Sequence, residues 1–168
     1  MLASGLHSPV YWEKFRILQY PALAEKLCRL IAKHFRGQNI DVVAGPTTGG
    51  IILAFETARQ LGVRSMFAER EGSVRVFRRD FEIRPGEHVL IVDDILTTGS
   101  SVRETIGAVA KLGGIAIGIG VLVDRSEQNL DVNLPLFSCL RAPTVVYSPQ
   151  ECPLCAGHIP LVKPGSAG

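Results

Sequence analysis

Two adjacent carboxylates, Asp93 and Asp94, stand at the point of the chain best suited to chemistry. They follow residues 89–92, an apolar run rich in β-branched side chains, which predicts a strand buried on both faces of a parallel sheet. Such a strand brings both carboxylates to the carboxyl edge of the sheet. Neighbouring carboxylates there suit the vicinal hydroxyls of a sugar or a hydrated Mg²⁺ ion.

A hydroxyl-rich turn follows the acidic pair after Ile95 and Leu96. The turn consists of Thr97, Thr98, Gly99, Ser100 and Ser101. Ser101 and Glu104 have the spacing of a capping box, which predicts a helix over about residues 101–112. The free N–H groups at a helix start bind phosphate, and hydroxyls add further donors. Acidic pair, turn and helix together predict a site for a phosphorylated sugar.

A second glycine-rich loop has the same setting, between a predicted strand over 41–44 and a predicted helix over 51–61. The loop residues that can approach an anion closely are Thr47, Thr48, Gly49 and Gly50. By itself this loop is a tight strand–helix connection. Next to the acidic motif it is better interpreted as a second phosphate-binding loop.

Positive charge is concentrated on a predicted hairpin over residues 64–81, which carries Arg70, Arg75, Arg78 and Arg79. One interpretation is a closing arm that contacts a highly charged anion. The other is a solvated hairpin with alternating charge, which is favoured for Arg75 and Arg79.

A further arginine, Arg125, follows the predicted buried strand over 115–123. The carboxyl ends of such strands are where parallel sheets bind ligands, and a guanidinium can bind a carboxylate bidentately. The alternative is a surface ion pair with Asp124 or Glu127.

The other predicted elements complete an α/β fold. They are a helix over 22–35, with Leu23, Leu27, Leu30 and Ile31 on its apolar face, and sheet segments over 136–142 and 144–147. Alternating strands and helices predict an open, mostly parallel sheet flanked by helices.

Composition fits one domain of 168 residues, with 46% apolar and 20% charged residues. A net charge of +2 gives no reason to expect nucleic acid or a membrane as a partner. The longest apolar run, 115–123, is far too short to span a bilayer. Four cysteines in a chain of this size are typical of reduced thiols in a cytoplasmic protein.

Near the C-terminus, Cys152, Cys155 and His158 have the spacing of metal ligands. Structural zinc takes four ligands, so His34, His7 or Cys139 would have to fold close to complete the site. A turn followed by an extended apolar arm is the favoured alternative, and a redox pair is less favoured.

Three segments carry a resemblance to a known family. Residues 91–101, IVDDILTTGSS, resemble the phosphoribosyl pyrophosphate (PRPP) motif of the type I phosphoribosyltransferases. Residues 4–15, SGLHSPVYWEKF, resemble the N-terminal segment of the orotate phosphoribosyltransferases. The tail, with CPLC and PLVKPGS, is similar to tails of bacterial members of that family.

The resemblance implies Mg²⁺-dependent transfer of phosphoribose from PRPP to orotate by a homodimer with shared sites. It implies that Asp93, Asp94 and Arg70 act in catalysis, and that 47–50 form the pyrophosphate loop. Thr97 and Arg125 would contact orotate. The residues that would bind PRPP are Arg70, Asp93, Asp94, Ile95, Leu96, Thr97, Thr98, Gly99, Ser100 and Ser101.

The same resemblance divides the single domain into a core over about 22–147 and a small hood from about 1–20 and 148–168. Family members normally have a helix before the N-terminal segment, which implies either a late start of this chain or a reduced hood. Transfer to another base, or a PRPP-sensing regulator without activity, are the alternatives.

Overall fold

The computed structural model describes residues 5, 7–126, 132–143 and 145–161. The strands are β1 Val42–Pro46, β2 Arg64–Glu71, β3 Val74–Phe77, β4 His88–Leu96, β5 Ile115–Asp124 and β6 Leu136–Arg141. The helices are α1 Phe15–Leu18, α2 Pro21–Phe35, α3 Gly49–Leu61, α4 Ser100–Lys111 and α5 Pro153–Ala156, with a 3₁₀ turn at Pro149–Glu151. Within these residues, no helix combines the length and apolar character that crossing a membrane requires.

The six strands form one sheet in the order β3-β2-β1-β4-β5-β6. β3 is antiparallel to β2, and the other neighbours are parallel. β1 and β4 lie side by side at the centre, and the chain leaves them in opposite directions, to β2 and to β5. This is the switch point at which open α/β sheets bind ligands beyond their strand ends. The predicted α/β architecture is confirmed.

Two apolar layers cover the sheet. On one face, side chains of α2 and α3, including Ile31, Phe35 and Leu53, pack on Val43 and Leu90. On the opposite face, α4 contributes Val102 and Val109 to a cluster with Ile91 and Ile119. β4 is therefore buried on both sides, as its aliphatic run predicts.

Helix α2 lies close to β5 because the residues of β5 that face this helix include two glycines. A Cβ at Gly118 would lie 2.5 Å from Phe35, and one at Gly120 would lie 2.5 Å from Ile31. The apolar face of α2 differs from the prediction, since Leu23 and Leu30 are exposed. Ile31 is buried as predicted, and Leu27 packs against the core. The other buried residues of α2 are Ala24, Cys28, Ala32 and Phe35.

The chain divides into two compact units. Residues 14–142 form the larger unit, which contains the whole sheet and helices α1 to α4. Residues 1–13 and 143–168 form the smaller one. In the smaller unit, the ends of the chain are joined by an antiparallel bridge between His7 and Tyr147, whose N–H groups donate to each other's carbonyl at 3.0 and 2.9 Å.

Three local predictions were wrong. β4 continues through the acidic pair to Leu96, because its pairing with β5 extends to the register Leu96–Asp124. The segment predicted as sheet over 144–147 contributes the isolated bridge at Tyr147, and Thr144 lies outside the described residues. Helix α4 starts at Ser100, and among the described residues no side chain caps its first turn.

Candidate active site

The site begins with β4, whose carboxyl end places the acidic pair in the interior of the protein. Asp93 and Asp94 are each 5% exposed. Their backbone is held in the sheet, since Asp93 pairs with Val121 and Ile95 with Val123. The two carboxylates are therefore positioned by a rigid central strand rather than by a loop.

The carboxyl group of Asp93 accepts two hydrogen bonds. The backbone N–H of Asp94 donates to Oδ1 at 2.8 Å, and the hydroxyl of Ser101 donates to Oδ2 at 2.7 Å. Burial, and secondarily the charge of Asp94, raises the pKa of Asp93 to about 6. The hydrogen bonds act in the opposite direction but do not offset burial.

Asp94 forms an ion pair that the sequence patterns do not indicate. The ammonium nitrogen of Lys14 lies 2.9 Å from Asp94 Oδ2, and the Lys14 side chain is one-third exposed. Oδ1 accepts from the N–H of Ile95 at 2.7 Å. Lys14 stands 80 positions earlier, within residues 4–15, one of the three segments that carry the family resemblance. Neither spacing nor periodicity assigns this lysine to the site.

The glycine-rich loop approaches the acidic pair closely. A Cβ at Gly49 would lie 1.8 Å from Asp94 Oδ2, which leaves room for no residue but glycine. Gly50 is also buried, and a Cβ there would lie 2.8 Å from Pro46 Cδ and 3.1 Å from the carbonyl carbon of Gly45. Thr47 is half-buried and its N–H donates to the carbonyl of Ala68 at 3.0 Å, whereas Thr48 is exposed. The structure thus brings this loop and the acidic pair together.

The hydroxyl-rich turn leads directly into α4. Gly99 has a φ of 75° and is the N-cap residue, a conformation that glycine adopts without strain. Thr97, Thr98 and Ser100 are exposed and Ser101 is half-buried. The turn therefore offers solvent-facing hydroxyls beside the N–H groups of a twelve-residue helix, which is the arrangement that binds phosphate.

Ser101 and Glu104 both serve the site rather than a capping box. Ser101 donates to Asp93, as described above. Glu104 Oε2 lies 2.8 Å from a terminal nitrogen of Arg70 and 3.6 Å from Nε of Arg75. Glu104 thereby links α4 to the hairpin formed by β2 and β3, in which Arg70 and Arg75 are cross-strand partners.

The arginines of the hairpin differ in exposure. Arg70 is half-exposed, so its charge remains accessible to an anion. Arg75 is 7% exposed and donates to the carbonyl of Ala68 at 3.2 Å, so the predicted solvated position was wrong. Burial, and then the charge of Arg70, lowers its pKa. Arg79 is exposed, as predicted, and pairs with Glu69 at 2.9 Å.

Arg125 follows β5 at the same edge of the sheet. Its N–H donates to the carbonyl of Leu96 at 2.8 Å, which ties it to the strand that carries the acidic pair. The residue is 8% exposed, and burial lowers the pKa of its guanidinium. The alternative interpretation paired Arg125 with Asp124 or Glu127. Asp124 Oδ1 accepts hydrogen bonds from the N–H and the hydroxyl of Ser126 at 2.9 and 2.6 Å, and Glu127 lies outside the described residues.

In the smaller unit, the two tail cysteines lie beside a histidine from the other end of the chain. Among the described residues, the group whose metal-binding atoms lie within 4.8 Å of one another consists of His7, Cys152 and Cys155. His158, which has the expected sequence spacing, is not part of this group. Its backbone has a φ of 53° and its N–H donates to the carbonyl of Cys155.

Comparison with known proteins points to one family. The phosphoribosyl transferase domain family matches residues 15–154. Orotate phosphoribosyltransferases of Caldanaerobacter subterraneus and Pelotomaculum thermopropionicum are both 52% identical, over 99% and 98% of this chain and 87% of each relative. The crystal structure of orotate phosphoribosyltransferase from Aeropyrum pernix is 26% identical, covers 84% of both chains and superposes with a TM-score of 0.70.

The fold and the matched domain define a phosphoribosyltransferase. The chain belongs to this family and, within it, to the orotate phosphoribosyltransferases. The resemblance seen in the acidic motif and in both terminal segments is thereby confirmed.

Proposed function

We propose that this chain transfers the 5-phosphoribosyl group of PRPP to orotate, forming orotidine 5′-monophosphate and pyrophosphate in pyrimidine biosynthesis. The observation that carries the proposal is the 52% identity to orotate phosphoribosyltransferases over almost the whole chain. The buried acidic pair beside the start of α4, whose free N–H groups suit a phosphate, supports it independently.

The residues suggest how PRPP would be oriented. Asp93 and Asp94 would accept hydrogen bonds from the ribose hydroxyls, and residues 97–101 with the N–H groups of α4 would bind the 5′-phosphate. The loop over 47–50 and Arg70 would face the pyrophosphate. The Lys14 ammonium lies 2.9 Å from Asp94 Oδ2, so it would move to another acceptor when the sugar hydroxyls bind.

The reaction requires no nucleophile from the protein. The bond from ribose C1 to pyrophosphate breaks with its electron pair leaving on pyrophosphate, and C1 bonds to N1 of orotate, which loses its proton to solvent. Positive charge develops on the ribose ring between these events. Fixed carboxylates beside the ring would stabilise that charge, so positioning and electrostatics supply the rate enhancement.

Arg125 would select the base. Its guanidinium stays protonated at neutral pH, and its backbone is anchored to β4 by the N–H that donates to the carbonyl of Leu96. Orotate carries a carboxylate that uracil lacks, and a planar guanidinium matches it bidentately. Thr97 is exposed at the start of the turn and is the second candidate for contacting the base.

Mg²⁺ would arrive bound to PRPP. The acidic pair is an oxygen-only donor set of the kind Mg²⁺ takes, but Lys14 and Ser101 already contact its oxygens. The ion would neutralise part of the charge of PRPP. We also propose a homodimer and a cytoplasmic location, which rest on the family resemblance and the cysteine pattern, respectively.

The experiment is pyrophosphate release from PRPP with Mg²⁺, compared for orotate, uracil, hypoxanthine and adenine. We expect turnover with orotate alone, and its loss with EDTA. Turnover with a different base would disprove the orotate assignment. PRPP binding without turnover on any base would instead indicate a regulator, the alternative raised by the sequence.

Asp94→Asn tests the acidic pair within the same assay. The substitution keeps the size of the side chain but removes the charge that accepts the sugar hydroxyls, so the variant should fold and lose most turnover. Full activity of Asp94→Asn would remove the acidic pair from the mechanism.

A further inference from the structure

The unit formed by both ends of the chain contains three side chains of the type that binds zinc. His7 Nδ1 lies 3.3 Å from Cys155 Sγ, and all ligand atoms of His7, Cys152 and Cys155 are within 4.8 Å of one another. A tetrahedral zinc site with Zn–S of about 2.3 Å and Zn–N of about 2.0 Å separates its ligand atoms by roughly 3.5–3.8 Å. Closing the group around one ion therefore requires a contraction of about 1 Å at most.

The backbone holds these ligands near each other without an ion. His7 is paired with Tyr147 through two N–H to carbonyl hydrogen bonds, and the hydroxyl of Ser8 donates to the carbonyl of Val145 at 2.8 Å. Cys152 is the N-cap residue of α5 and Cys155 lies in its first turn, where the N–H of Ala156 donates to the carbonyl of Cys152 at 3.1 Å. A pre-formed ligand set lowers the entropy that metal binding would lose.

The group is closed on one side and open on the other. His7 and Cys152 are 8% and 2% exposed, whereas Cys155 is exposed. An ion bound here would be buried on the side of His7 and Cys152. It would be accessible to water on the side of Cys155. Three protein ligands with an open fourth position are the pattern of zinc sites that retain a water molecule.

We propose that His7, Cys152 and Cys155 bind one Zn²⁺ ion per chain, with water as the fourth ligand. The two thiols bind as thiolates and release their protons to solvent. The ion joins residue 7 to residues 152–155 and so closes the smaller unit. This assignment rests on the smaller unit alone and does not depend on the proposed transfer reaction.

The test uses the full chain without an affinity tag, kept reduced, with thiols counted before each titration. Co²⁺ is the probe, because thiolate ligands give it an intense charge-transfer absorption that water and carboxylates do not. We expect one Co²⁺ per chain with that absorption, its displacement by Zn²⁺, and stoichiometric zinc in protein purified from zinc-supplemented cells.

Variants identify the ligands. Cys152→Ser, Cys155→Ser and His7→Gln should each lose the absorption, while Cys139→Ser and His158→Gln should retain it as the matched cysteine and histidine controls. Circular dichroism checks that each variant is folded. Zinc should also delay proteolysis of the wild-type termini, and this protection should be absent from Cys155→Ser.

Three results would overturn the proposal. One is the absence of Co²⁺ binding while all four thiols are free and the protein is folded. Another is unchanged binding in the three ligand variants. The third is equal loss of binding in His158→Gln, which would replace the three-ligand site with a different one.

Discussion

Asp93 combines a proposed ribose contact with an environment that disfavours its charged form. Its carboxyl is buried beside a second carboxylate, and its pKa of about 6 lies well above the usual value of about 3.9. Burial of an anion is the main cause, because the interior solvates charge less well than water does. The residue therefore lowers the stability of the ligand-free protein at neutral pH.

The pKa of Asp93 leads to a prediction about stability and pH. Between about pH 4 and 6 the folded protein retains a proton that the unfolded chain has lost, so raising the pH across this window lowers the free energy of unfolding by on the order of 3 kcal/mol. Asp93→Asn removes this dependence. We expect the variant to be more stable than wild type at pH 7 and equally stable near pH 4, by urea denaturation.

The outcome that contradicts this prediction is equal destabilisation of Asp93→Asn at both pH values. That result would mean that the hydrogen bonds from Ser101 and Asp94 outweigh burial of the charge. Turnover should be lost in either case, because the proposed ribose contact is removed.

Gly49 gives a second prediction at the level of single residues. In Gly49→Ala the new methyl group would lie 1.8 Å from Asp94 Oδ2, so the carboxylate would have to move. A displacement of about 1 Å in a catalytic group typically lowers turnover about 100-fold. We therefore expect a loss of that order in pyrophosphate release, with the protein still folded.

The matched control for this substitution is Gly107→Ala. Gly107 lies in α4 with no atom within 4 Å of an added Cβ, so alanine should stabilise the helix by up to about 1 kcal/mol and leave turnover unchanged. Equal activity of the two alanine variants would refute the steric argument for Gly49.

At the scale of elements, Arg75 connects three parts of the sheet edge. It lies on β3, donates to the carbonyl of Ala68 on β2 and to the hydroxyl of Thr47 at 3.3 Å, and faces Glu104 on α4. A buried cation with these partners fixes the hairpin against the glycine-rich loop. Arg70, which is half-exposed on the neighbouring strand, is oriented by the same glutamate.

Arg75→Ala should therefore destabilise the protein. Hydrogen bonds to a charged group contribute about 1.5–3 kcal/mol each when buried, so we expect a loss of about 2 kcal/mol or more by chemical denaturation. Arg79→Gln, which removes an exposed ion pair with Glu69, should change stability by less than about 1 kcal/mol. Similar effects of the two substitutions would mean that Arg75 is not an anchor.

At the scale of the whole molecule, ligand binding should increase the free energy of unfolding and raise the melting temperature. A ligand that binds only the folded state at 100 times its dissociation constant adds about 2.7 kcal/mol. For a chain of this size, each kcal/mol raises the melting temperature by roughly 2–4 °C. PRPP with Mg²⁺ should therefore raise the melting temperature of wild type by several degrees in a thermal shift assay.

The same assay separates binding of PRPP from recognition of the base. PRPP should change the melting temperature of Asp94→Asn little or not at all, because this variant lacks the carboxylate proposed to contact the sugar. PRPP should raise the melting temperature of Arg125→Ala as much as that of wild type. The variant should nevertheless fail to turn over orotate. A normal PRPP shift in Asp94→Asn would place the sugar away from the acidic pair.

Much of the fold was predictable because its determinants are local. The aliphatic run over 89–92, the glycine loop over 45–50 and the turn over 97–101 each indicate an element from a few neighbouring residues. Their succession specifies alternating strands and helices, and hence a mostly parallel sheet with ligands at its carboxyl edge. Local pattern also placed the acidic pair at the carboxyl end of its strand, although the strand itself continues to Leu96.

Tertiary structure decided the features that depend on residues distant in sequence. Four such contacts join segments separated by 8 to 148 residues. They are Lys14 with Asp94, Ser101 with Asp93, Arg75 with Thr47, and His7 with Cys155. Nothing local distinguishes Lys14 from other lysines, or Arg75 from a solvated hairpin residue. These contacts exist only because the packed sheet and the paired chain ends bring distant side chains together.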